Sequence, residues 1–554
     1  MSRSGGNGSV NEFDYVVVGA GSAGCILAAR LSEDPANSVL LLEAGPAEEN
    51  FAMRAPALFY VLQRSRFDWA YRTEPQGAVD ARRMSLPAGR VLGGSSAINA
   101  ALYVRGHRSD YDDWRDSGNP GWGWEDVLPY FKKSERQARG ASACHGTDGP
   151  IQVADQSEVA PSTAAFAKSV AAVFGVPIVD DFNGGDSTGA GYFQVTCRNG
   201  RRSSAASFIR EVRTRPNLEV RTGAVATGIE IGASRATGVR LRTKAGDETV
   251  KARREVILAA GAIGSPRLLM LSGIGPAAHL REVGIDVRLD LPGVGRNLRD
   301  HLGYPLSYEA ASGSAPHYSL PASLRWIFNY MVSGGGGPLG RSYMEGCAFV
   351  RTDPGLERPD LQIHFAPWSS LEPNLDEKRD LKRGRGFTLF PTLLYPRSTG
   401  EIRLASRDPL APPRIDPRYL SCEEDLRVLA EGARLARQVA GTGPLAACAL
   451  REVAPGPGVA SGEALAADVR ARANSFFHPV GTCKMGVDPG AVVDPELRVR
   501  GIDGLRVADA SIMPAIPGGN TNAPTMMVAE KAADLVLGKT AAPRLVRVRE
   551  EALR

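Results

Sequence analysis

The sequence predicts an α/β fold built on a Rossmann-like dinucleotide-binding unit, joined to an α+β region with an antiparallel sheet. Three observations predict it. Residues 13–45 run strand, glycine turn, helix, strand. Further apolar runs later in the chain end in glycine-rich turns. RPDLQIHFAP and GFTLFPTLLYPRSTGEIRLAS carry β-rich runs of strand length. At 554 residues the chain exceeds one ordinary core, so two large domains, or one with a substantial cap, are expected.

The first unit is FDYVVVGAGSAGCILAARLSEDPANSVLLLEAG, Phe13 to Gly45. The β-branched run Tyr15–Val18 gives a strand, the Ala/Leu-rich stretch a helix that stops near Pro35, and Val39–Leu42 a second strand. Gly19 permits the tight turn, Gly21 admits a pyrophosphate to the backbone, and Gly24 lets helix and strand close up. The helix N-terminus offers unpaired N–H groups to phosphate. Glu43 follows Gly24 by 19 residues, where an acid accepts ribose hydroxyls. The fingerprint predicts a bound dinucleotide but does not separate FAD from NAD.

Three later segments have the same character. GRVLGGSSAINA (89–100) presses small residues, Gly93 to Ser96, toward a large flat ligand. EVILAAGAIGSPRLLMLSGIG (255–275) predicts a strand over Val256–Ala260 and a helix from about Ser265-Pro266. LRVAD (505–509) is a strand, and Thr525–Leu537 an apolar helix packing back on the core. SFFHPVGTCKMG (475–486) places one of seven histidines between two phenylalanines and a proline. By itself that segment is a loop corner.

Composition narrows the function classes. Hydrophobic residues at 43% and charged residues at 23% are a globular balance. A net charge of +5, without a Lys/Arg run interleaved with aromatics, argues against a nucleic-acid partner. Seven scattered cysteines without C-x-x-C argue against a disulfide framework or metal site and fit a reducing compartment. The polar N-terminus lacks a signal peptide's apolar core, and no run is long enough to span a membrane. A cytoplasmic location is expected. The basic tail APRLVRVREEALR allows at most peripheral contact with the inner membrane.

Together the fingerprint, GRVLGGSSAIN, GAIGSPRLLMLSGIG, DLPGVGRNLRDH, FHPVGTCKMG and LRVADASIMP…GNTNAPTMM resemble the glucose–methanol–choline flavoprotein oxidoreductases, from Phe13 to about Leu537. The resemblance implies FAD and two interleaved domains. The FAD-binding domain would use 13–160, 215–305 and 480–540, and the substrate domain 161–214 and 306–479, with tails 1–12 and 541–554. It implies oxidation of a primary alcohol to the aldehyde, a base taking the hydroxyl proton while hydride passes to flavin N5. His478 would be that base; histidine's pKa suits the task. Asn520 would hold the substrate oxygen, with Asn522 the second choice. Cofactor contacts would come from Gly19, Gly21, Gly24 and Glu43. Gly94, Ser95 and Asn99 would line the isoalloxazine, Val225 the adenine, and Asp509 and Ala510 the pyrophosphate or ribityl chain. Ile98 stands where some choline-oxidising members tether FAD through histidine, so non-covalent FAD is expected.

On the substrate side the resemblance implies Phe476 and Phe477 as dry walls, with Phe476 hindering oxygen at the flavin edge. His364 matches a substrate-side histidine. Phe59 and Glu309 would form part of a cage for a quaternary ammonium, since ring faces and a carboxylate suit a cation. Met344 replaces a cage tryptophan. The main reading is a dehydrogenase passing electrons to a quinone or other carrier. Alternatives are a choline dehydrogenase or oxidase, an alcohol oxidase releasing peroxide, a hydroxynitrile lyase, a photodecarboxylase and a non-enzymatic FAD-binding module. The sequence does not give the alcohol, the acceptor or the oligomeric state.

Overall fold

Residues 11–539 are described by a computed structural model, apart from 157, 318, 369–383 and 461. The basic C-terminal tail invoked for membrane contact lies outside the described residues.

Strand β1 (Glu12–Val18), helix α1 (Gly24–Leu31) and strand β2 (Val39–Glu43) form the first βαβ unit. β1 and β2 pair in parallel, Val16 opposite Leu40. The runs Tyr15–Val18 and Val39–Leu42 within them are buried on both faces, which explains why those residues are continuously apolar. Burying each such side chain contributes about 1.5–3 kcal/mol as an upper estimate.

The sheet runs Leu218–Thr222, β2, β1, Gly246–Leu258, Arg235–Thr243 and Val225–Gly232. The first four strands are parallel and the last two pairings antiparallel. Gly246–Leu258 is long enough to serve two partners along one edge. Its first half pairs with Arg235–Thr243 and its last residues with Leu505–Val507. The parallel strands β1, β2, Gly246–Leu258 and Leu505–Val507 therefore end at one edge of the sheet. In open α/β sheets, ligands bind beyond the carboxyl ends of the strands.

A second sheet has the order Ala449–Ala454, Leu306–Ala310, Gly386–Leu393, Leu361–Ala366, Gly346–Val350, Gly189–Tyr192, Ile178–Val179. All its pairings are antiparallel except the last. The two-residue period of Leu361–Ala366 divides its side chains between faces. Ile363 and Phe365 join the core under the helices Pro161–Phe174 and Glu423–Ala440, and His364 turns to the opposite side.

The segment 161–214 serves more than one layer. Gln194–Val195 pairs with Leu102–Tyr103 and with Ala154–Asp155 in a small separate sheet. Phe208 and Ile209, from the helix Ala206–Val212, pack in the core of the first sheet.

Two helices begin earlier than their sequences suggest. The one expected from Ser265-Pro266 spans Gly261–Leu271, with Pro266 inside it. Proline cannot donate to the Ala262 carbonyl, four residues back. The Thr482 hydroxyl donates to that carbonyl instead, at 2.6 Å. The last helix spans Asn522–Val536, three residues ahead of the expected start.

Candidate active site

A cavity of about 450 Å³ opens beyond the carboxyl ends of the parallel strands and continues to the inner side of the second sheet. Its first end is built by the glycine turn. Gly19 has φ +100°, and a Cβ there would lie 2.7 Å from the Ala259 carbonyl oxygen. A Cβ on Gly94 would lie 2.5 Å from the Gly21 Cα. Gly21 itself faces space: its nearest neighbours would be 4.0 Å from a Cβ. Ala23, at the N-terminus of α1, makes no side-chain cap. Cys25 N–H donates to the Gly21 carbonyl at 3.2 Å, and the positive end of the helix is left without a side chain across it, where an anion can sit.

Glu43 lines the same end with its carboxylate buried. It accepts from the N–H groups of Ala20 at 3.0 Å and Gly45 at 2.8 Å. Burial pushes its carboxyl up to about 7. Val225, Ser95, Asn99, Asp509 and Ala510 also line the cavity. The Asp509 carboxylate is occupied by protein donors, accepting from Gly261 N–H at 2.8 Å, the Ser265 hydroxyl at 2.6 Å and Ser511 N–H at 2.8 Å. Gly24 does not line the cavity. A Cβ there would fall 1.8 Å from the Gly19 carbonyl oxygen, so its absence lets helix and turn close up.

At the other end stands His478. Its imidazole Nδ1 lies 2.9 Å from His301 Nδ1, and its Nε2 lies 3.1 Å from the Asn520 amide nitrogen. His301 Nε2 lies 2.9 Å from the Leu394 carbonyl oxygen. A carbonyl only accepts, so His301 carries its proton on Nε2. Burial holds His301 at about 4, so it is neutral and its Nδ1 accepts. His478 must then donate from Nδ1, which leaves the lone pair on Nε2, toward Asn520 and the cavity. Burial, followed by the neighbouring His301 and His364, holds the His478 pKa well below its ordinary value. The result is a neutral imidazole with one fixed tautomer.

The loop that carries His478 is held from below. The Asp300 carboxylate accepts His478 N–H at 2.7 Å and the hydroxyls of Ser475 and Tyr419, each at 2.5 Å. The Ser475 hydroxyl oxygen accepts Phe477 N–H at 2.9 Å. Phe477 has φ +64°, a left-handed conformation costly for an aromatic residue. These anchors keep it there, and Pro479 restricts His478 to extended backbone.

The walls around His478 are apolar. The Phe476 ring lies over Gly303, whose virtual Cβ would come within 2.2 Å of it, and 4.6 Å from the His364 ring centroid. Phe59, Tyr60, Tyr343, Met344 and Phe477 also line the cavity. Among the described residues that wall the cavity around His478, two have a buried polar atom without a protein partner, His364 Nε2 and Asn520 Oδ1. Both residues line the cavity, where a ligand can satisfy them. Asn522 is engaged elsewhere, accepting from the Ser22 hydroxyl at 2.7 Å beside the glycine turn. Ile98 lines the cavity with a hydrocarbon side chain, which cannot tether a cofactor.

Glu309 requires a correction. It stands directly across the strand pair from Arg451, and their side chains meet at 2.7 Å with the Glu309 carboxylate 44% exposed. It does not line the cavity. Among the described residues, the only carboxylates that do are Glu43 and Asp509, both in the part formed by the glycine turn and strand ends.

Sequence reasoning missed Asp300 and His301. Both close the quoted segment DLPGVGRNLRDH, and an Asp-His pair in a chain with seven histidines was the available signal. Nothing local ties them to His478, 177 residues away.

The fit to a flavin dinucleotide rests on the Gly21–Gly94 cradle, the uncapped α1 N-terminus and the acid at the end of β2. Known proteins agree with it. GMC oxidoreductase family models match residues 13–303 and 396–529. An alcohol dehydrogenase (acceptor) of Pseudomonas putida is 43% identical over 95% of this chain and 96% of its own. An oxygen-dependent choline dehydrogenase of Sinorhizobium medicae is 42% identical, again over 95% and 96%. Among solved structures, pyridoxine 4-oxidase from Mesorbium loti superposes with a TM-score of 0.86 at 31% identity, covering 95% of this chain and 100% of that one. A formate oxidase of Aspergillus oryzae, in a study of its FAD modification, superposes with a TM-score of 0.86 at 29% identity, over 95% and 98%. The chain belongs to the GMC oxidoreductase family, and its cofactor is FAD.

Proposed function

We propose that this protein oxidises an uncharged primary alcohol to the aldehyde. The observation that carries the reading is the fixed tautomer of His478, which presents an unprotonated Nε2 to a cavity walled by Phe476 and Phe477, beside an amide donor. The alcohol hydroxyl donates to Nε2, displacing the Asn520 amide onto the substrate oxygen. His478 takes the proton, and its Nδ1–H tightens against His301 as the ring becomes cationic. Asn520 keeps its donor on the oxygen as charge builds there, which an amide can do without itself accepting a proton. Phe476 and Phe477 exclude water. FAD, when bound non-covalently, supplies the acceptor for the hydrogen and electron pair that leave the carbinol carbon.

Glu43 would meet the adenosine ribose, Gly19 and Gly21 the pyrophosphate, and Gly94, Ser95 and Asn99 the ring system. Val225 would meet adenine, and Asp509 and Ala510 the linking chain. We assign segments 13–160, 215–305 and 480–540 to cofactor binding, and 161–214 with 306–479 to the substrate. Electrons then pass to a quinone or another carrier. The ring faces of Phe59 and Tyr60 suit a cation, but among the described residues no carboxylate lines the His478 end to complete a cage. That favours a neutral alcohol over choline.

Anaerobic bleaching of the bound flavin by butanol, benzyl alcohol and choline tests the reading. Uncharged alcohols should bleach fastest. His478→Ala should slow bleaching by about 10²–10⁴-fold while retaining FAD. A wild-type rate in that variant overturns the role of His478, and failure of every alcohol overturns the activity.

A further inference from the structure

The helix Leu320–Ser333, LPASLRWIFNYMVS, is apolar on two faces. Its ends are ordinary. The Ser319 hydroxyl oxygen accepts Ala322 N–H at the N-terminus, and Gly334 at φ +70° closes the C-terminus. Trp326 and Tyr330, four residues apart, share the buried face. Leu320, Leu324, Ile327, Phe328, Met331 and Val332 form a second stripe, and it points to solvent. Leu324 is 60% exposed, Phe328 66%, Met331 67% and Val332 72%. A surface helix of a water-soluble domain normally turns polar residues outward. This one carries no Asp, Glu or Lys, and a single cation, Arg325.

Its inner face leads to the active site through touching rings. Trp326 meets Trp368 at 6.0 Å, Trp368 stacks on Tyr343 at 6.1 Å, and Tyr343 meets Phe59 at 5.7 Å. Tyr343 and Phe59 line the cavity. Beside the helix, the partly exposed Phe51 packs edge-on against Tyr330 at 5.5 Å. Val61, 52% exposed, follows the cavity residue Tyr60.

We propose that the Leu320–Ser333 helix lies in the interfacial zone of a lipid bilayer, with its outer stripe immersed beneath the headgroups. Fourteen residues make a helix about 21 Å long, short of the roughly 30 Å hydrocarbon core. No helix among the described residues is long and apolar enough to cross a membrane. The helix therefore lies in the surface. The occupant is lipid rather than a second copy, because a stable protein interface engages about 20–30 residues a side. Interfacial insertion needs only the apolar face of one helix, and its strength scales with the apolar area buried, which these six side chains supply. With one cation on the helix, the affinity rests on apolar burial rather than on anionic lipid. Docking there brings the wall of the substrate end to the phase in which apolar alcohols and quinones concentrate.

The test is flotation of the full-length, FAD-loaded enzyme with phosphatidylcholine vesicles, at about 0.1 M and 0.5 M salt, where surface charge is screened to different extents. Wild type should float at both. Leu324→Glu and Phe328→Glu should each weaken binding at least about tenfold. FAD content and turnover with a soluble dye and a short alcohol should not change, which separates lost docking from misfolding. Phe328→Trp should still bind, and its emission should shift to the blue on adding vesicles. Wild type that stays in solution overturns the proposal, as does undiminished binding by both glutamate variants. Binding that needs anionic lipid and vanishes at high salt assigns the contact to charge and also overturns it. So does a dimer that Phe328→Glu converts to monomers while vesicles are ignored, since the face then joins two copies.

Discussion

Replacing His301 by leucine removes the acceptor for His478 Nδ1–H while filling most of the same space. In the wild-type protein these nitrogens are 2.9 Å apart and both rings are buried. When His478 holds the alcohol's proton, this hydrogen bond becomes charge-assisted, and such bonds contribute about 1.5–3 kcal/mol. Losing that amount in the transition state slows the step by about 10–150-fold, at about 1.4 kcal/mol per factor of ten. The expected loss is smaller than for His478→Ala, because the base itself remains. Stopped-flow bleaching of the flavin, without oxygen and with saturating alcohol, measures it directly. KM should move little, since His301 does not line the cavity. His301→Asn returns an acceptor oxygen and should recover part of the rate. A second readout follows the tautomer: ¹⁵N shifts should show Nδ1–H for His478 in wild type and a mixture in the leucine variant. Wild-type bleaching by His301→Leu with FAD retained would refute the reasoning, as would asparagine performing no better than leucine.

Other predictions concern selectivity, stability and pH. Glu309→Gln should leave the ratio of choline to butanol turnover unchanged, because Glu309 faces Arg451 at the surface; a selective loss of choline turnover restores the cage. Gly19→Ala should lower FAD content in purified protein, since its Cβ would meet backbone 2.7 Å away at φ +100°; full occupancy contradicts this. Burial lowers the His364 pKa to about 3, so this group's contribution to stability is complete above about pH 6.5 and is lost as pH falls toward 3. Denaturant titrations should therefore show wild type losing about 1.6 kcal/mol relative to His364→Gln between pH 6.5 and 5. A difference that stays flat with pH contradicts the buried neutral state.

Local rules carry the sequence a long way at the glycine turn. Gly19, Gly21 and Gly24 act through φ angles and close approach within a few residues, and Glu43 is placed by the length of one helix and one strand. The Asn522 alternative shows where such rules stop. Asn520 and Asn522 share a short loop and a residue type, but only packing puts one against His478 and the other on Ser22. Glu309 shows the same limit. The family resemblance implied a cage role for it, while cross-strand register set it opposite Arg451, where two opposite charges pair in water.

The sequence by itself determined the dinucleotide turn, the family and the identity of His478 as the group to watch. The turn depends on short spacings, which fix backbone geometry; the family and His478 follow from the resemblance that the motifs carry together. Only the tertiary structure decided the state of that histidine. Its tautomer follows from His301, which follows from the Leu394 carbonyl, and its neutrality follows from burial by segments far apart in the chain. Protonation depends on what surrounds a ring in space, and chain folding sets those surroundings. The outward stripe of Leu320–Ser333 belongs with these as well. Its sequence is that of a buried helix, and the fold leaves half of it facing outward.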